Sequence, residues 1–389
     1  MKTSYEFIVV GCGGLGSAAA YRLAREAGAE VLALEQFHLG HDNGASQDHS
    51  RIIRLSYHLP EYTALTRQTY EAWADVEAES GVQLVFKTGG LDLGTTDSDY
   101  LDHYADAMRA ANIPFEELSA REVMKGWPQF RLNDDQRALY QADSGLVDAR
   151  KANQAHQVLA RAHGATILDQ TPVRCIRPIG DGAGVEVETD IATFTARRLV
   201  VTADAWTNQV LAGAGVEWPL TITQEQVTYF QTPRLREFAP DRFPIWIWHG
   251  QDILYGFPVY GEVATKAGVD VGGDVVTPDV RTFEPNPRSY DRLHRFLERH
   301  IPDFLGPILY TKTCLYTMPP DRNFVIDTLP DQPQIVVAQG AGHAFKFASL
   351  IGKILCDLAV HGETTEPIGA FNITRPALTD PSFPPSFHI

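Results

Sequence analysis

Cysteine is scarce. Only four occur in 389 residues, at Cys12, Cys175, Cys314 and Cys356, far apart and with no C-x-x-C pair. That spacing excludes the usual zinc motifs and a disulfide scaffold, so no metal site is expected and a reducing compartment fits best. Positive charge is in deficit, with 33 Lys plus Arg against 49 Asp plus Glu and a net charge of −16. A nucleic-acid backbone would meet a repulsive field. No apolar run approaches the ~20 residues needed to span a bilayer. The start, Met1 to Glu6, leads directly into an apolar strand, leaving no room for the charged and hydrophobic regions of a secretory leader. The expectation is a cytoplasmic protein with neither nucleic-acid nor membrane partners. Internal repeats and low-complexity blocks are missing too.

What is present is an ordinary globular balance, 44% hydrophobic and 21% charged residues. At ~150 residues per domain the length suits two domains. Phe7-Ile8-Val9-Val10 is an apolar run followed at once by Gly11-Cys12-Gly13-Gly14-Leu15-Gly16, and residues 17–27 read as an Ala-rich helix. A second apolar run, Val31-Leu32-Ala33-Leu34, ends in Glu35, 19 residues after Gly16. Strand, G-x-G-x-x-G turn, helix, strand and acid in this register form a dinucleotide fingerprint. Glycines admit a pyrophosphate to the backbone, the helix N-terminus stabilises its charge, and the acid accepts from a ribose diol. The motif by itself does not choose between FAD and NAD.

Further along, Tyr62, Leu65, Thr69, Trp73 and Val76 step by three and four, predicting an amphipathic helix that Gly81 ends. Residues 100–142 read as polar and helical. Residues 185–188 and 192–195 alternate as a hairpin, and residues 221–266 are strand-rich and aromatic. Near the C-terminus Ile335-Val336-Val337-Ala338, Gly340-Ala341-Gly342 and a helix from about Lys346 repeat the strand, glycine turn and helix order. The predicted fold class is therefore α/β, as a two-lobed α+β arrangement. A discontinuous Rossmann-like domain (1–86, 145–218 and 312–389) carries an inserted antiparallel-sheet substrate domain (87–144 and 219–311).

Several segments in order resemble the monomeric sarcosine oxidases, within the wider glycine oxidase and D-amino acid oxidase group of flavoproteins. They are Gly11 to Gly16, Asn43-Gly44-Ala45-Ser46, Ser50-Arg51-Ile52-Ile53-Arg54, Lys87-Thr88-Gly89, Tyr255-Gly256-Phe257-Pro258, Lys266, Lys312-Thr313-Cys314-Leu315-Tyr316 and Gly342-His343-Ala344-Phe345-Lys346-Phe347. The resemblance implies FAD as cofactor, bonded covalently through Cys314. The expected cofactor site comprises Gly11, Gly13, Gly14, Leu15, Gly16, Glu35, Ser50, Arg51, Val173, Cys314, Gly340, Gly342, His343 and Lys346. It also implies that Arg54 and Lys346 hold a substrate carboxylate, that Lys266 serves oxygen activation, that Arg51 lies against the flavin, and that Tyr255 and Tyr316 surround the substrate amine.

Two positions depart from the family pattern. Asp270 stands where a pocket histidine is usual, four residues after Lys266, and Gln47 replaces a histidine before Arg51. A free carboxylate at Asp270 would favour a cationic or more polar amine. The function expected is oxidation of a secondary amino acid such as sarcosine or another N-methyl amino acid, with oxygen reduced to hydrogen peroxide by a monomeric enzyme. Proline, pipecolate or N-methyltryptophan are alternative substrates within the family. An NAD-dependent dehydrogenase and a non-catalytic flavin-binding subunit are the more distant readings.

Overall fold

The computed structural model describes residues 2–180 and 182–387. The first apolar run becomes the strand Ser4–Val10, at the centre of an eight-stranded sheet. It pairs in parallel with Val31–Leu34 on one side and Thr193–Val201 on the other. Thr166–Leu168 extends one edge, and Gln332–Gln339 lies parallel to the far half of Thr193–Val201. The first half of Thr193–Val201 instead carries the antiparallel pair Val173–Ile179 and Gly184–Thr189. The inner parts of the central strands, residues 7–10, 31–34, 199–201 and 335–338, are apolar because both faces are covered there. Val9, Ala33, Val200 and Val336 pack on one side with the helices Gly14–Ala27 and Ala348–His361, while Ile8, Leu32, Leu199 and Val337 pack on the other.

A second sheet of nine strands is mostly antiparallel. Its centre runs through Thr221–Phe230, Thr265–Asp270, Ile253–Phe257, Ile245–His249 and Gly90–Thr95. The strand Ile308–Met318 pairs with Thr221–Phe230 along its whole length. Residues 312–318 therefore lie in this second sheet, and the expected domain boundary at 312 falls inside a strand. Residues 100–142 are not all helical either. Helices Tyr100–Ala110 and Ala120–Gly126 alternate with strands Glu116–Ser119 and Gln136–Gln141. Glu116–Ser119 is polar because it forms the exposed edge of the second sheet, so its sequence carries no apolar alternation.

A small sheet of Ser50–Ile53, Val85–Lys87 and Gly145–Asp148 joins the two units. The predicted amphipathic helix is Pro60–Ser80, closed by Gly81 in the left-handed conformation. Among the described residues no helix is long and apolar enough to cross a membrane.

Gly16 illustrates how tightly the first turn is built. A Cβ there would lie 1.9 Å from the Gly11 carbonyl oxygen, a backbone atom that cannot move aside. Gly16→Ala should therefore lower stability by roughly 3 kcal/mol or more. Gly44→Ala, whose Cβ would meet nothing nearer than His41 at 3.8 Å, should melt like the parent in scanning calorimetry.

Candidate active site

One cavity of about 830 Å³ runs from the first glycine turn to the face of the second sheet. Its outer part is lined by Gly11, Gly13, Gly14, Leu15, Glu35 and Val173. Gly16 does not reach it and serves the packing of helix on turn. Glu35 accepts hydrogen bonds from the backbone N–H groups of Cys12 (2.9 Å) and Phe37 (3.0 Å), and His41 Nε2 stands 3.3 Å away. Burial alone would raise its pKa, but His41 and the two amides together hold it below the usual carboxylate range. It is an ionised acceptor at neutral pH. Ser46, quoted above only as part of a segment, accepts from the Gly14 N–H at 2.8 Å. Backbone without Cβ, a helix start and an ionised acid fit the two phosphates and ribose of a dinucleotide.

The inner part is the face of the second sheet. Cross-strand partners share a face, as do alternate residues along one strand. Cys314 and Tyr316 lie two apart on Ile308–Met318, Tyr255 on Ile253–Phe257, and Lys266 and Asp270 on Thr265–Asp270. All five line the cavity, opposite Gly340, Gly342, His343 and Lys346 from the second glycine turn. Gly342 has φ +79°, and a Cβ there would lie 2.7 Å from the Tyr316 ring. Burial pushes the Cys314 thiol up to about 12, against the pull of Arg51 and Arg281. Ser50, Arg51 and Arg54 enter from the small sheet.

The cations are held very differently. Arg51 donates to the carbonyls of Ser50 (2.9 Å), Ala45 (2.8 Å) and Gln47 (2.6 Å). Lys266 is 3% exposed and donates to Asp48 Oδ2 (3.0 Å) and the Ser50 carbonyl (2.7 Å), so it is no surface lysine on a strand edge. Burial brings it down to about 8, with Asp48 resisting. Arg54 is buried between the Tyr57 and Tyr104 rings and donates to Asp92 Oδ1 at 2.7 Å, while its enclosed Nε has no partner among the described residues. Lys346 donates only to the His343 carbonyl (3.0 Å) among the described residues, with no carboxylate in ion-pair range. Burial, then Arg54, push it well below the ordinary lysine value.

Asp270 is not a free carboxylate. Arg322, fully buried, grips both its oxygens at 2.9 and 3.0 Å. The expected preference for a cationic amine loses its basis, because the charge is already neutralised 52 positions along the chain. Gln47 lies beside the Cys314 strand, its amide donating to the Thr313 carbonyl at 3.1 Å. Asp48, Asp92, Arg281 and Arg322 were not singled out from the sequence, and Tyr229 stood out only as one aromatic residue of the strand-rich stretch. Only Asp48 had a usable signal, standing three residues before Arg51.

The family model for FAD dependent oxidoreductases matches residues 6–358. The chain is 36% identical to the monomeric sarcosine oxidase of Streptomyces avermitilis, over 96% of this chain and 98% of that one. It is 33% identical to the peroxisomal sarcosine oxidase of Homo sapiens, over 96% and 97%. It is 29% identical to the N-methyl-L-tryptophan oxidase of Yersinia pestis, over 95% and 99%. Among solved structures, NikD, described as an unusual amino acid oxidase essential for nikkomycin biosynthesis, superposes with a TM-score of 0.84 at 30% identity, covering 95% of this chain and 98% of that one. With the dinucleotide turn, the second glycine turn and the intervening sheet all accounted for over nearly the whole length, the chain belongs to the FAD-dependent oxidoreductases.

Proposed function

We propose that this protein oxidises a secondary amino acid, an N-methyl amino acid first, and that it carries its FAD covalently on Cys314. The observation that carries the reading is Lys346, a buried lysine lining the inner cavity with no carboxylate partner among the described residues, beside Arg54, which lines the same cavity. Such a pair calls for an anion from the ligand. When bound, FAD would accept a hydride from the carbon next to the amine nitrogen and pass both electrons to oxygen, giving hydrogen peroxide. Gly13, Gly14 and Glu35 would hold its dinucleotide part, and Cys314 and Arg51 its ring.

The protein's own part is binding, orientation and charge. Arg54, locked by Asp92 and lining the inner cavity, supplies one positive group for the substrate carboxylate, and Lys346 meets the same carboxylate from the second glycine turn. Tyr255 and Tyr316 flank the amine. The surplus of positive charge disfavours an ammonium and so favours the free-base amine that hydride loss requires. The product imine hydrolyses in water. Asp270, neutralised by Arg322, exerts little pull on a cationic substrate, which favours amino acids over polyamines. An anaerobic panel of sarcosine, larger N-methyl amino acids and cyclic imino acids, read as flavin bleaching, tests the reading. Bleaching by none of them would exclude it.

Three outcomes follow from this reading. Acid-precipitated protein should keep its yellow colour in the pellet, and Cys314→Ala should release it to the supernatant. Lys346→Met should weaken binding of substrate, and of an amine-free thioether acetate, about tenfold to a hundredfold, the effect of losing one charge-assisted bond. Arg54→Ala is a poorer probe because it also strands Asp92 in the interior. Lys266 is charged below about 8, so the rate of flavin reoxidation should fall as pH rises through that value. Stopped-flow mixing of reduced enzyme with oxygen measures it.

A further inference from the structure

Cys314 stands on an edge. The strand Ile308–Met318 has Thr221–Phe230 as its one sheet partner among the described residues, so its other side presents carbonyls that no strand pairs. The carbonyl of Thr313, the residue before Cys314, is satisfied from outside the sheet, by Gln47 Nε2 at 3.1 Å and by Arg281 Nη2 at 3.2 Å. Arg281 Nη2 also donates to the Thr313 hydroxyl at 2.9 Å, while Nη1 donates to the carbonyls of Asp42 (3.2 Å) and Asn43. One guanidinium thus ties the strand that carries Cys314 to the segment 42–47. Asp42, Gln47 and Cys314 all line the cavity, so the tie closes its wall beside the thiol.

We propose that Arg281 is a positioning residue for covalent attachment of the flavin, fixing Cys314 from the free edge of its strand so that the sulfur meets the ring. The inference rests on the covalent reading above. In the attachment a C–H bond of a ring methyl group breaks and an Sγ–C bond forms. The electron pair of the C–H bond stays on the flavin, which is thereby reduced and takes up the protons released by the methyl group and the thiol. Oxygen then removes both electrons and both protons as hydrogen peroxide, leaving oxidised flavin joined to Cys314. Bond formation of this kind depends on the placement of one sulfur atom to within about 1 Å.

Arg281 is itself held in place. Its guanidinium packs 3.8 Å from the centre of the Phe283 ring. On the strand Thr221–Phe230, Gln224 Oε1 accepts from the N–H groups of Thr282 (3.1 Å) and Phe283 (3.3 Å), and Gln226 Oε1 accepts from that of Asn286 (2.6 Å). Anchoring this loop would need those glutamines alone. The guanidinium instead reaches 32 positions along the chain to Thr313. It has no carboxylate in ion-pair range among the described residues, and burial lowers it against the thiolate of Cys314 first and Asp42 second. Arg51 and Arg281 therefore favour the attacking thiolate, which burial, Glu225 and Asp48 oppose.

The test uses the full chain produced in riboflavin-starved cells, to which FAD is added in air. Quenching of FAD fluorescence reads binding, and flavin retained in acid precipitates sampled over time reads attachment. Arg281→Ala should bind FAD as tightly as the parent, because the first glycine turn and Glu35 are untouched, yet attach it roughly tenfold or more slowly. Guanidinium ion at low concentration should restore much of that rate. Arg281→Lys keeps the charge but loses the planar fork, and should stay slow. Parental attachment in Arg281→Ala overturns the inference, and full recovery in Arg281→Lys overturns it in favour of charge alone. Affinity and rate falling together without rescue overturns it in favour of a general loosening of the fold. A parent that keeps no flavin in the precipitate removes the covalent reading and this inference with it. Attached flavin that no amino acid bleaches counts against the substrate reading only.

Discussion

Four basic side chains, Arg51, Arg54, Lys266 and Lys346, line the inner end of one cavity, with Arg322 buried behind Asp270, and much of the architecture serves to make that tolerable. A lone buried charge costs several kcal/mol unless it is paired. Three carboxylates answer them: Asp48 between Lys266 and Arg51, Asp92 under Arg54, and Asp270 on Arg322. Each comes from a different segment, so the pairs also tie the units together. Asp92 sits on the strand Gly90–Thr95 and reaches the small sheet through Arg54 and Ser56. Asp48 and Lys266 join the small sheet's approach to the second sheet. Lys346 alone among them has no carboxylate within ion-pair range among the described residues, and a carboxylate from a bound substrate would supply that missing partner.

That compensation explains which parts of the site were legible in the sequence. The glycine turn, Glu35 and the amphipathic helix Pro60–Ser80 are local, and local spacing reveals them. Cys314, Lys266, Tyr255 and Lys346 stood out because their flanking residues match a family. The answering groups have no such mark. Asp92 is one residue in an apolar strand, and Arg322 lies in a turn with φ +51°, 52 positions from the carboxylate it neutralises. Their partners are set by which strands lie side by side, which no window of ten or twenty residues contains. Asp270 shows the consequence: its identity as an acid was plain, the buried arginine that grips it was not.

The strand segments between residues 100 and 142 were missed for a related reason. Sheet pairing, not alternation, makes Glu116–Ser119 a strand, because an edge exposed on one side can be wholly polar. The boundary at residue 312 was displaced for the converse reason. The strand Ile308–Met318 leads into the C-terminal part of the first unit in sequence, yet its sheet partner is Thr221–Phe230.

Placing reactive side chains on strands has a further consequence. Along a strand, residues two apart are separated by about 7 Å, and direct partners on neighbouring strands by about 5 Å. Cys314, Tyr316, Lys266, Tyr255 and Tyr229 thus occupy points of a fixed grid, positioned by backbone hydrogen bonds rather than by loops. The same regularity makes the grid fragile, since a slip of one residue would turn every one of them to the opposite face. The pairing of Thr221–Phe230 with Ile308–Met318 runs without a break from Thr221 and Met318 to Tyr229 and Tyr310, and the register shifts only beyond that row, between Tyr229 and Phe230. The irregularity that lets the strands diverge falls after the last position at which the face must be kept.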